Sequence, residues 1–214
     1  MIPWYARNMT ESAPDRRRLA ERGKRLEYFT IAWNCVEGLV GILAGAMAGS
    51  ISLVGFGVDS FIEVTSGAAV LWRMSGDGDE CARERREQLA LQVVGACFLA
   101  LAAYVVYAAV GHLSGRRAAQ QSPAGILLAC ASLLVMPLLA RAKRRVGSAL
   151  RSAAMHADAR QTEFCVYLSA ILLAGLLLNG VWGLWWADPV AALVMAPIIA
   201  WEGVKAWRGE TCCD

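Results

Sequence analysis

Apolar residues in this chain come in long blocks separated by short polar stretches that are mostly basic. A helix that crosses a bilayer needs about 20 mostly apolar residues in a row. Six blocks meet or approach that length: Tyr28–Met47, Ile51–Trp72, Leu89–His112, Ala124–Ala140, Thr162–Trp182 and Pro189–Trp207. A tight turn at Ala48-Gly49-Ser50 joins the first two. Pro123 and Pro189 fall at helix starts, where a missing N–H does no harm. The expected fold class is all-α: a polytopic membrane protein with six transmembrane helices. Residues 1–26 are expected to form a basic arm, partly helical from about Pro14. Residues 27–207 would form the membrane domain, and residues 208–214 a short tail.

Composition supports the pattern. Of the 214 residues, 57% are hydrophobic and 18% charged, against roughly 45–50% and about 25% in soluble domains. Intrinsic disorder is excluded by the same hydrophobicity. A net charge of +3 is too small for a general nucleic-acid binder, and no nucleic-acid partner is expected. The placement of the charges says more. All but two of the 21 Lys and Arg residues lie in the N-terminal arm, the 2–3 and 4–5 connections and the C-terminal end; Arg116 and Arg117 are the exceptions. By the positive-inside rule both termini are then cytoplasmic. Trp182, Trp185 and Trp186 cluster at the outer end of the fifth block, as an interfacial aromatic belt would. No signal peptide pattern opens the chain. The expected location is a membrane crossed several times, the inner membrane if the source is bacterial.

Of the seven cysteines, Cys35, Cys97, Cys130 and Cys165 lie in apolar blocks, and no C-x-x-C pair exists. A disulfide framework or a zinc ribbon is therefore not expected. Cys212 and Cys213 read as an exposed reduced tail, with metal capture or lipid attachment as sharper alternatives.

Ionisable residues inside a span are expensive and are candidates for function by default. Three are deep: Glu37 in the first block, and Asp59 and Glu63 in the second. Asp59 and Glu63 are four apart, so they stack on one helix face. Two desolvated carboxylates on one face repel each other, and a divalent metal removes that penalty while displacing protons. The simpler reading is a pair of acids bonded to neighbouring polar groups such as Asn34, Ser60, Thr65 and Ser66. Glu37 is a weaker candidate, as ligand or proton carrier. Glu202 reads as reaching solvent at the cytoplasmic end of the last helix.

The fifth block opens with a second polar stripe. Asp158, Gln161, Thr162 and Cys165 follow the i, i+3, i+4, i+7 spacing of one helix face. Thiolate favours zinc-like soft ions, and carboxylate oxygens can complete a tetrahedral shell. The candidate metal ligands are Asp59, Glu63, Cys165 and Asp158, with Gln161, Thr162 and Glu37 in support. His156 reads as solvated and His112 as interfacial.

At this point the chain resembles the cation diffusion facilitator family. The resemblance rests on six helices, cytoplasmic termini, the run Val58-Asp59-Ser60-Phe61-Ile62-Glu63 and the segment Ala157-Asp158-Ala159, and it covers roughly residues 25–207. It implies export of zinc-class divalent cations in exchange for protons, usually by a homodimer, with no tightly bound cofactor. It also implies ligands at Asp59 and Glu63. The usual fifth-helix pair, His and Asp four apart, falls here on Gln161 and Cys165, which is a departure. The family usually carries a cytoplasmic metal-binding domain after the sixth helix; with few residues after Trp207, this chain resembles the short form without it.

The expected function is thus proton-coupled export of a divalent cation, zinc foremost, by alternating access between the second and fifth helices. The metal would enter past Asp158. The alternative is a metal-binding membrane regulator or assembly partner that does not transport. No enzyme is expected, because no nucleophile with a base, P-loop or HExxH stands in the sequence.

Overall fold

The computed structural model describes residues 13–75, 80–150 and 153–208. Within them the chain forms six helices and no strand: α1 Ala13–Ala48, α2 Ile51–Ser75, α3 Glu80–Ser114, α4 Pro123–Leu150, α5 Ala153–Trp182 and α6 Ala187–Arg208. Five of them, all but α2, are long and apolar enough to cross a membrane. The 25 residues of α2 reach about 37 Å at 1.5 Å per residue, enough to cross beside α1. This is the expected polytopic all-α architecture. Its outer surface is apolar: Val36, Leu39, Leu43, Leu127, Leu134, Leu138 and Val181 are all exposed. Trp182 and Trp186 near one end, and Trp72, Trp201 and Trp207 near the other, are exposed too, as aromatic belts at two interfaces require.

The helix ends differ from the sequence reading. Four helices run past their apolar blocks at the basic end: α1, expected to be helical from about Pro14, starts at Ala13, α3 at Glu80 rather than Leu89, and α5 at Ala153 rather than Thr162. α4 continues to Leu150 rather than stopping at Ala140. Hydropathy marks where apolar side chains stop, not where the backbone uncoils, and Arg and Lys are good helix formers. The 4–5 connection, expected to be a polar loop, is therefore almost wholly helical. The helical start of the arm near Pro14 agrees with α1. Arm residues 1–12, connection residues 76–79, Arg151 and the tail with Cys212 and Cys213 lie outside the described residues.

Local rules explain the joints. The α1–α2 turn needs Gly49, at φ +66°, a conformation that costs glycine little. Ser50 then caps α2, its Oγ accepting the Leu53 N–H at 3.2 Å. Ser122 caps α4 in the same way, accepting from Gly125 at 3.1 Å, with Pro123 in the first helical position. α5 ends in a left-handed cap at Gly183, φ +65°, whose N–H reaches the Asn179 carbonyl at 3.1 Å.

One acid that the sequence reading passed over ties the turn to α6. The fully buried Asp188 accepts hydrogen bonds from Ser50 Oγ at 2.6 Å, from the Ile51 N–H at 2.9 Å and from Ser52 Oγ. The N-terminus of α2 thereby gains a carboxylate where its dipole favours one.

The helices pack as α1 with α2, α3 with α6 and α4 with α5, and α2 also touches α3, α5 and α6. Small residues set the two closest crossings, as expected where lipid offers no hydrophobic contrast. A Cβ on Gly57 of α2 would lie 2.7 Å from the Ile42 nitrogen and 2.9 Å from the Gly38 oxygen of α1. A Cβ on Gly95 of α3 would lie 2.6 Å from the Trp207 nitrogen of α6. The main core fills the centre from α2, α3, α5 and α6, around Phe56, Val105, Leu172 and Ile199.

Gly57→Leu should therefore force α1 away from α2. Overpacking costs about 1–3 kcal/mol even where side chains can yield, and here the obstacle is backbone. The expected result is a clear fall in thermal midpoint in detergent, or no folded protein; an unchanged midpoint would refute the close crossing.

Candidate metal centre

The two acids of α2 face α5. Asp59 and Glu63 are 4% and 1% exposed, and Cys165 of α5 lies against both. Cys165 Sγ is 2.7 Å from Glu63 Oε2 and 3.5 Å from Asp59 Oδ2. A thiol has one proton to give, and the shorter contact assigns it to Glu63. Thr162, one turn before Cys165, brings its hydroxyl to 2.9 Å from Glu63 Oε1. Glu63 thus meets two α5 side chains, one at each oxygen. α2 and α5 are not sequence neighbours; the packing of α2 at the bundle centre brings these groups together.

Asp158 is placed differently. It is buried two turns from Cys165 towards the basic end, where its carboxylate meets the ammonium of Lys143. Lys143 Nζ also reaches Glu27 Oε2 at 3.1 Å and Thr162 Oγ1 at 3.5 Å, and the side chains of Lys143, Glu27 and Asp158 are all fully buried. α1, α4 and α5 are joined at this point by a buried ion triad, in which Glu27 Oε1 and Asp158 Oδ1 have no hydrogen-bond partner. Thr162 links the triad by hydrogen bonds to the Asp59–Glu63–Cys165 group.

Gln161 does not join that group by a hydrogen bond either. It lines a narrow crevice, with room for about one water molecule, between α2, α3, α5 and α6, whose other polar walls are Asp59, Cys165 and Glu202. Glu202, expected to reach solvent, is instead half-buried on this wall. Glu37 is buried behind the α2 acids, 3.2 Å from Ser60 Oγ, and its second oxygen has no hydrogen-bond partner. Ser132 lies beside it and contacts Ser169 at 3.1 Å, which donates to the Cys165 carbonyl at 2.6 Å. His156 is partly buried, with Nε2 3.4 Å from Ser148 Oγ.

Lys143 and Glu27 were missed because both stand where the sequence turns basic and polar. A signal was present. Met136, Leu139, Ala140, Lys143, Val146 and Gly147 all lie on the buried side of α4, a 3-and-4 rhythm that continues past Ala140.

Chemically, the α2–α5 group offers two carboxylates, a thiol and a hydroxyl, a donor set suited to zinc-class ions. Among the described residues no group of three or more His, Cys, Asp or Glu side chains is spread so as to hold an ion in this conformation. The thiol lies against the carboxylates by hydrogen bonding, and an ion would have to displace its proton.

With this geometry in place, comparison with known proteins gives the class. Residues 28–208 match the cation efflux transmembrane domain, and the chain belongs to that family. It is 26% identical over 189 residues to the uncharacterized transporter sll1263 of Synechocystis sp., covering 85% of this chain and 61% of that one. It is 25% identical over 181 residues to transmembrane protein 163 of Xenopus laevis, covering 84% and 64%. To the uncharacterized transporter MJ0449 of Methanocaldococcus jannaschii it is 25% identical over 177 residues, covering 80% and 62%. The chain thus spans a little over three-fifths of the length of these curated relatives.

Removing Lys143 should unmask the cost of the triad. Breaking a buried ion pair by deleting one partner costs about 3–5 kcal/mol, whereas replacing all the charges together is often neutral. Lys143→Met is expected to lower the thermal midpoint strongly. The triple variant Lys143→Met, Glu27→Gln, Asp158→Asn should recover most of the loss; failure to recover it would show that Lys143 acts by packing rather than by charge.

Proposed function

We propose that this chain exports divalent metal cations, zinc foremost, in exchange for protons, and that Asp59, Glu63 and Cys165 hold the ion between α2 and α5. The observation that carries this reading is the contact of the Cys165 thiol with both α2 carboxylates deep in a membrane bundle. Buried charges need partners. Two carboxylates and a thiol in one dry place are balanced either by protons or by a divalent ion, so taking up one means releasing the other. Family membership supports the cargo class, and the thiol supports a soft ion such as zinc or cadmium over magnesium or manganese.

In this reading Thr162 orients Glu63. Asp158 is a structural counter-charge to Lys143 rather than a ligand, and Glu37 stands behind the site as a further polar group. The basic end faces the cytoplasm. Exchange of access between the two sides proceeds by rocking of helices around the fixed site, with two copies of the chain paired through the membrane helices.

Zinc uptake into proteoliposomes, with and without a pH gradient, tests the reading. Asp59→Asn and Glu63→Gln should each abolish gradient-dependent flux while the protein still elutes as the wild type does. Cys165→Ser should keep some flux but shift preference away from zinc and cadmium towards manganese by about tenfold. A folded protein that binds zinc yet moves none would favour a membrane regulator, and flux surviving in Asp59→Asn would place the ion elsewhere.

A further inference from the structure

Two approaches lead from the basic end of the bundle towards Asp59 and Cys165. One passes Asp158. It is filled by the Lys143 ammonium, which is fully buried and held by Glu27, Asp158 and Thr162. Displacing that cation would leave buried carboxylates bare, at the high cost of breaking a buried pair. The other approach is the crevice between α2, α3, α5 and α6. Asp59 and Cys165 line its deep part. Gln161 lies four residues before Cys165, and Glu202 three after Ile199, so both stand about one helical turn, some 5 Å, nearer the basic end.

The groups around Glu202 suit capture. Its carboxylate meets a single tethered ammonium, Lys205 Nζ at 3.6 Å, and the side chain of Lys205 is 36% exposed. That ammonium also lies 5.5 Å from the centre of the Phe164 ring and 5.3 Å from that of Trp201. Phe164 is itself a wall of the crevice, so Lys205 rests across its rim. Arg160 is the other cation within electrostatic reach of Glu202, and it is exposed. Such a partly exposed pair is worth about 0–1 kcal/mol, so a divalent cation displaces it readily. On α5, level with Glu202, the Gln161 amide Nε2 is buried without a hydrogen-bond partner. Buried amides are rarely left so, and the water shell of a passing ion would satisfy it.

We propose that Glu202 is an ion-capture residue: a divalent cation exchanges there for the Lys205 ammonium and then passes Gln161 to reach Asp59 and Cys165. This rests on the α2–α5 site proposed above and replaces the route past Asp158. Gln161, standing where the family has a zinc-ligating histidine, becomes a residue of the path rather than of the deep site.

The test uses the purified full chain and zinc, with Glu202→Gln, Lys205→Met and Asp59→Asn compared side by side. In flux, Glu202→Gln should raise the half-saturating zinc concentration about tenfold, more than it lowers the maximal rate. Lys205→Met, which removes the competing cation, should lower the half-saturating concentration. Equilibrium zinc binding keeps this inference separate from the transport reading. Glu202→Gln should lose a weaker class of sites and keep the tighter one, and Asp59→Asn should do the reverse. That pattern supports capture even if no flux is found. Glu202→Gln matching the wild type in both measurements overturns capture, whether or not Asp59→Asn abolishes flux. So does a fall in maximal rate with half-saturation unchanged.

Discussion

Carboxylates inside a membrane bundle must share their surroundings with a positive charge or a proton, and the interior of this protein is organised around that constraint. The deep acids meet it in different ways, Glu37 with the Ser60 hydroxyl at one oxygen and no partner at the other. Asp158 and Glu27 share the fixed cation Lys143. Asp188 is bonded by two hydroxyls and a backbone N–H at the start of α2. Glu202 has the half-exposed Lys205. Asp59 and Glu63 share the Cys165 thiol, which can give its proton up, and Glu63 also accepts from the Thr162 hydroxyl. In the proposed reading, this α2–α5 group is where an exchangeable cation takes the place of a proton.

The packing follows from the same need. For Asp59 and Glu63 to meet Cys165, α2 must run in the middle of the bundle, against α1, α3, α5 and α6. Glycines allow it: α1 approaches α2 at Gly57, and α6 approaches α3 at Gly95, to distances at which a Cβ would strike backbone. The Lys143 triad locks α1, α4 and α5 together at the basic end, and Asp188 locks α6 to the α1–α2 turn at the other. Between α5 and α6 the basic end carries the loose Lys205 contacts, and there the crevice opens.

Most of the fold was legible in the sequence because hydropathy reports lipid contact directly. Six helices, the tight turn at Gly49 and the pairing of Asp59 with Glu63 on one face needed only periodicity. The polar stripe on α5 marked Cys165 and Thr162, and their meeting with the α2 acids was an implication of the family resemblance. The helix ends were not legible, since helices continue past the lipid where polar residues take over. That also hid Lys143, which reads as one more positive charge beside Arg141 and Arg144 until α4 is extended past it. Asp158 shares a helix stripe with Cys165, yet what it touches depends on α1 and α4, and no spacing along α5 carries that information. Gln161 turns instead towards α6, because residues four apart on a helix share a face only approximately.

The central claim is that a metal ion takes the place of the Cys165 proton between Asp59 and Glu63. X-ray absorption at the zinc edge, on the purified protein loaded with one equivalent of zinc, examines that bond itself. The account predicts a sulfur scatterer at about 2.3 Å beside oxygen ligands at about 2.0–2.2 Å, with the sulfur absent in Cys165→Ser. A shell of nitrogen and oxygen alone in the wild type, or a sulfur signal that persists in Cys165→Ser, would contradict it.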